Sequence, residues 1–199
     1  MEKQHVIYNT VELELNLPER QSLRVERGYT NDQKVLVVNA RGVPWKRVDF
    51  LLDVLDELPK EYCLVHIGEG PEIVAWQRRV EQKGLMDRVR FCGRISYRDV
   101  QIWDRIADAF LLPSLYEGFP HVAVEAACHG APCFVSDRGG NPEAAQVYPE
   151  RINVLPYANT DAWKKALLDL PSRFDPIHPE PFSRVSEAYA EVVKRFLYE

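Results

Sequence analysis

Short apolar runs along this chain alternate with segments whose apolar residues recur every three or four positions. KVLVVN (34–39), YCLVHI (62–67), RVRFC (88–92), AFLLP (109–113), APCFVS (131–136) and INVL (152–155) have the length and near-continuous apolarity of buried strands. One helical pattern begins at about Val48 and sets Val48, Leu51, Leu52, Leu55 and Leu58 on one stripe. A second, EIVAWQRRVEQKG (72–84), ends at Gly84. YRDVQIWDRI (97–106), the alanine-rich stretch through Glu125, and residues 159–170 complete the helices. Apolar strands joined by helices predict an α/β fold, a three-layer α/β/α sandwich around a mainly parallel sheet, over residues 1–170. HVIY (5–8) reads as a further strand, followed by a mostly polar connection. Pro171, Pro176, Pro179 and Pro181 make 171–181 an extended linker. In 182–199, Val185, Ala188, Tyr189, Val192 and Phe196 form the stripe of a terminal helix that packs back on the domain or toward another one.

Composition adds exclusions. A chain of 199 residues can bury roughly 70% of its unfolded surface and needs no disulfide to fold. A net charge of −5 gives no basic field for nucleic acid, so any anion-binding charge must be local. No apolar run approaches the ~20 residues of a membrane span. Cys63, Cys92, Cys128 and Cys133 form no C-x-x-C pair and read as reduced thiols of a cytosolic protein. His121 and His129 lack a ligand set, so no metal site is expected.

Candidate chemistry gathers at strand ends, where open α/β sheets bind ligands. ARGVPWKR (40–47) follows the first central strand, and Arg41 and Lys46 could reach an anion there or remain solvated cations. IGEGPE (67–72) begins like G-x-G-x-x-G, but Ile73 takes the third glycine position, which favours a turn over a NAD site. In YEGFPHVAVEAACHGAP, Glu117 lies in a loop and Glu125 within the next helix. Pro120 suits the first helical position, which leaves the His121 and Val122 amides for an anion or a sugar hydroxyl. Glu125 could accept two hydrogen bonds from a ribose diol, or both glutamates could be surface charge. DRGGNPE (137–143) offers Gly139 and Gly140 as a turn, Asn141 as N-cap and Pro142 as first helical residue, a second helix N-terminus at this edge where Gly139 and Gly140 either contact the ligand or form a plain capped turn.

Together these segments resemble family 4 glycosyltransferases of the GT-B fold, glycosyl transferases group 1. PSLYEGFPHVAVEAACHGAPCFVSDRGGNPE is similar to their nucleotide-sugar motif of two glutamates, an alanine-rich helix, a small-G-x-P turn and a GG-x-P-E loop. HVIYNTVE, VVNARGVPWKRVDFLL, IGEGPE, DRVRFCGRIS and FSRVSEAYAEVVKRF resemble, in order, the family's N-G-V-D, G-R-L-x-x-x-K-G, G-x-G-P, V-x-F-x-G and terminal-helix segments. The resemblance implies a Rossmann-like donor-binding domain, one half of a retaining sugar transferase that uses a nucleoside-diphosphate sugar (UDP-, GDP- or ADP-linked) and no required cofactor. By position, Arg41 and Lys46 match the pair on the donor diphosphate, Glu117 the glutamate near the transferred sugar, and Glu125 the ribose ligand. Gly118, Phe119, Pro120, His121 and Val122 would contact sugar and phosphate. Gly93, Arg94 and Ile95 would lie near the base.

Ala40, Arg47 and Pro120 stand where the family favours glycine; Arg47 would add charge or narrow the entrance. The resemblance covers only the C-terminal half of such an enzyme. An acceptor-binding N-terminal domain is thus an expected partner, and the chain alone is expected to bind donor but transfer little sugar. A glycan or lipid-linked acceptor, a cytoplasmic location and peripheral attachment at the inner face of the membrane accompany that expectation. The alternative is a stand-alone nucleotide-sugar-binding or partner module.

Overall fold

The computed structural model describes Val11, Leu13, Glu14 and residues 16–177. The expected strand at 5–8 and the expected terminal helix in 182–199 lie outside these residues. Among the described residues six strands form one sheet: β1 (Lys34–Asn39), β2 (Tyr62–Ile67), β3 (Val89–Phe91), β4 (Ala109–Leu112), β5 (Cys133–Ser136) and β6 (Ile152–Leu155). Every pairing is parallel, in the order β3-β2-β1-β4-β5-β6. This is the Rossmann-like order, and the strand order reverses between β1 and β4. Among the described residues seven α-helices accompany the sheet: α1 (Arg20–Glu26), α2 (Val48–Asp56), α3 (Ile73–Gln82), α4 (Tyr97–Ile106), α5 (His121–Cys128), α6 (Asn141–Val147) and α7 (Thr160–Leu168).

Strand side chains alternate between two cores, as the pleat requires. Val35, Val37, Val65, Phe110, Leu112 and Val135 face one layer with α1, α4 and α5. Leu36, Val38, Leu64, Leu111 and Phe134 face the other with α2, α3 and α7. The stripe expected of α2 is buried throughout, from Val48 to Leu58. Both faces of the sheet are therefore covered, which is why the strands read as continuous apolar runs.

Two regions depart from the pattern in the sequence. The polar connection before β1 contains α1, whose inner face carries a charge. Arg24 is buried and donates to Asp108 Oδ2 (2.9 Å) and to the Thr30 and Gln33 carbonyls (both 2.8 Å). Asp108 also accepts from the Val35 amide at 2.7 Å, so this carboxylate joins α1 to the start of the sheet. Residues 171–177 carry no helix or strand, and they lie against the domain. Phe174 N donates to Gly130 O (3.0 Å) and Ile177 N to Cys128 O (2.9 Å). Arg173 donates to the Ala107 carbonyl and, at 2.7 Å, to the His129 carbonyl.

All four cysteines are free, and burial pushes Cys128 up to about 11. Among the described residues no helix is long and apolar enough to cross a membrane.

Candidate functional site

At the carboxyl edge of the sheet, the loops after β1 and β4 face each other across the point where the strand order reverses. They enclose a cleft of about 750 Å³ lined by Asn39, Ala40, Arg41, Trp45, Lys46 and the continuous segment 116–122. Three of the charged side chains singled out from sequence meet here. Lys46 Nζ lies 2.6 Å from Glu117 Oε1, with side chains 17% and 13% exposed. Pairing keeps both charges tolerable at that depth. Arg41 lines the same wall, is exposed, and has no ion pair among the described residues.

Backbone contacts fix this geometry. Leu115 N donates to Trp45 O (2.8 Å), which ties the β4 exit to the single 3-10 turn at Pro44–Lys46. Behind Glu117, the loop after β5 comes into backbone contact. Gly140 N donates to Glu117 O at 2.9 Å. A Cβ on Gly140 would fall 1.6 Å from Gly118 O, and one on Gly139 would fall 2.7 Å from Glu117 N and O. The two glycines thus serve to let one loop back another, and neither lines the cleft. Gly68 and Gly70 do the same job against Ala40 and Gly42, so IGEGPE is a close-packed turn.

Several expected positions differ. α5 starts at His121, with Pro120 preceding it as N-cap at φ −82° and ψ 73°. His121 N donates to Phe119 O (3.0 Å), which turns that amide away from a ligand. Gly140, rather than Asn141, caps α6. Asn141 is buried and spends its side-chain amide on Ser136 Oγ (2.9 Å), so inward packing overrides its capping preference. Arg47 does not line the cleft. It adopts φ 53°, a left-handed conformation that costs an arginine about 1 kcal/mol, and its guanidinium lies on Tyr157.

Glu125 is half-buried one turn beyond Val122 and accepts from the Tyr97 hydroxyl at 3.0 Å. Burial raises its carboxyl above the ordinary range, against the lowering effect of that hydrogen bond. It does not line the 750 Å³ cleft. Gly93 lines a separate depression of about 430 Å³ with Gly68, Gly70, Gln77 and Phe91. Arg94 is exposed, and Ile95 packs against the same core as Phe119 and Val122. The structure therefore brings Arg41, Lys46, Glu117 and residues 118–122 together, and sets Glu125 and residues 93–95 along the same edge of the sheet. Sequence reasoning passed over Asn39, Trp45 and Tyr116 in the cleft wall, and Tyr97 beside Glu125. Trp45 and Tyr116 are exposed aromatics inside loops already marked by their charges, a signal that could have found them. Among the described residues no cluster of His, Cys, Asp or Glu suits a metal ion.

A six-stranded parallel sheet covered by helices, with Arg41 and the Lys46–Glu117 pair in a cleft at its switch point, defines a Rossmann-like domain. The sequence model of the glycosyl transferases group 1 family matches residues 19–173, and the chain belongs to that family. It is 34% identical over 155 residues to D-inositol 3-phosphate glycosyltransferase of Jonesia denitrificans, covering 70% of this chain and 36% of that protein. It is also 35% identical over 133 residues to mannosylfructose-phosphate synthase of Agrobacterium fabrum, covering 61% and 29%. The chain thus spans about a third of the length of such curated relatives. Among solved structures, Anabaena Alr3699/HepE in complex with UDP matches with a TM-score of 0.77 at 20% identity, over 96% of this chain and 57% of that one. The apo lipopolysaccharide outer core galactosyltransferase WaaB matches at 0.67 and 22% identity, over 94% and 51%. These likenesses show the fold.

Proposed function

We propose that this chain is the donor-binding half of a retaining, family 4 glycosyltransferase. The observation that carries the reading is the meeting of Arg41, Lys46 and Glu117 in one cleft at the β1–β4 switch. The crystallised relative with UDP and its UDP-glucose counterpart support a nucleotide-sugar ligand. In this reading Arg41 and Lys46 hold the diphosphate, a fork beside a point charge. Glu117 faces the transferred sugar, Glu125 accepts from the ribose diol, and residues 93–95 border the base. Transfer breaks the bond from the anomeric carbon to the diphosphate oxygen, and the diphosphate leaves with the electron pair. The acceptor oxygen bonds to that carbon and its proton passes to the departing diphosphate. The two cations stabilise the charge that develops on the leaving group.

A further Rossmann-like domain, in the same polypeptide or a partner chain, would bind the acceptor, a glycan or lipid-linked glycan at the cytoplasmic face of a membrane. Calorimetry of the 199-residue chain with UDP, GDP and ADP tests the reading. One of them binds, and Glu125→Ala weakens it by about 1–3 kcal/mol through lost charged hydrogen bonds. No binding at millimolar ligand by the folded chain would remove the donor site. Unchanged affinity in the variant would remove Glu125 from the ribose role, and efficient transfer by the chain alone would overturn the half-enzyme assignment.

A further inference from the structure

Arg47 departs from the local rule and has no role in the cleft, yet it is held by three contacts. Its Nη1 donates to the Tyr157 hydroxyl at 2.5 Å, its guanidinium carbon lies 5.3 Å from the Tyr157 ring centroid, and its Nε lies 3.3 Å from Asp49 Oδ1. Tyr157 follows β6 and also contacts the loop after β5. Arg138 lies 5.4 Å from the same ring centroid, and Tyr157 N donates to Asp137 Oδ1 at 3.0 Å. The next two residues, Gly139 and Gly140, are the pair pressed against the backbone of Glu117 and Gly118.

These contacts close a ring. Lys46 pairs with Glu117, Glu117 rests on Gly139-Gly140, Arg138 adjoins them and stacks on Tyr157, and Tyr157 holds Arg47, the neighbour of Lys46. We propose that Tyr157 is a positioning residue, a clasp that holds the Lys46 ammonium in register with Glu117 by gripping the two loops that carry and back them. This rests on the proposed reading only for its ligand, a nucleoside diphosphate. A left-handed arginine would otherwise relax toward ordinary backbone angles and turn the preceding residue with it. Tyr157 does not line the 750 Å³ cleft, and its effect passes through Arg47 and Arg138.

The test compares Tyr157→Ala, Tyr157→Phe and the exposed-site variant Arg138→Gln with the wild-type chain. The first probe is whichever of UDP, GDP and ADP binds the wild type, and the second is its nucleoside, which lacks the diphosphate. Tyr157→Ala is expected to weaken the diphosphate about tenfold and the nucleoside less than about twofold, since small misplacements at a preorganised site are expensive. Tyr157→Phe, which keeps the ring between both cations, stays within about threefold of wild type, and Arg138→Gln falls between. An unchanged diphosphate affinity in Tyr157→Ala, or an equal loss for diphosphate and nucleoside, overturns the clasp. Amide exchange of the ligand-free proteins decides it independently. Tyr157→Ala and Arg138→Gln should speed exchange at Arg41–Arg47 and Leu115–Phe119 while leaving β2 unchanged. Unchanged exchange in those loops overturns the proposal even were no diphosphate to bind the wild type, an outcome that would by itself sink only the donor-site reading.

Discussion

His66 shows how a buried group couples the stability of this fold to pH. It sits in β2 with no exposed surface, between the rings of Trp76 and Phe91, and its Nε2 meets Ala40 O at 3.0 Å. Burial lowers its pKa from 6.5 to about 4, against the raising effect of the Ala40 carbonyl. His129, buried against Gln101, is lowered to about 4 for the same reason. A histidine depressed in the folded state binds fewer protons there than when unfolded. Its contribution to stability is therefore present above pH 6.5 and is lost as pH falls toward 4, by on the order of 3 kcal/mol for each ring. Buried Asp104 and half-buried Glu125 are raised, and their contributions run the other way, fading as pH climbs. Comparing His66→Gln with wild type cancels those opposing slopes. In urea unfolding the variant should be less stable at pH 7, and the gap should shrink markedly by pH 4.5. A gap that is constant across pH would show that His66 does not titrate with unfolding.

At the level of elements, the loops after β4 and β5 make a sharper test than any helix. An alanine methyl at Gly140 cannot coexist with a carbonyl oxygen 1.6 Å away, so one loop must move. Gly84 is a natural control. It has φ +66° with nothing within 4 Å, and Gly84→Ala should cost only the left-handed strain of about 1 kcal/mol. Gly140→Ala should cost more than about 2 kcal/mol in urea midpoint and shift the Glu117 loop with it. Equal costs for the two would mean that the loop contact is soft. The same comparison shows what could be read from the sequence. The six strands and α2 were legible because each buries a contiguous or regularly spaced apolar set. α1 was not, because it offers Leu23 as its only buried apolar residue and places Arg24 beside it. Arg41, Lys46 and Glu117 were legible as charges at strand ends, whereas the tilt of their loops depends on backbone-to-backbone contacts that have no periodic signature. Pro120 and Asn141 were misread by one position because helix preference is local and loop packing is not.

For the whole molecule, the important feature is that the cleft draws its walls from both halves of the sheet. The loop after β1 belongs to the half that continues through β2 and β3, and the loop after β4 to the half that continues through β5 and β6. The net charge of −5 opposes an anionic ligand at long range, so the proposed reading requires its affinity to come from Arg41 and Lys46 at contact distance. On that reading a diphosphate would span the switch point and tie the halves together. At a ligand concentration of about 100 Kd, linkage alone should raise unfolding stability by about 2.7 kcal/mol, visible as a higher Tm. Where the protection falls is the more discriminating reading. Amide exchange should slow together in Arg41–Lys46 and in Glu117–Val122 on adding the nucleotide. Slowing confined to one of these segments, even with a raised Tm, would place the ligand on one half of the sheet and take the switch point out of the binding site.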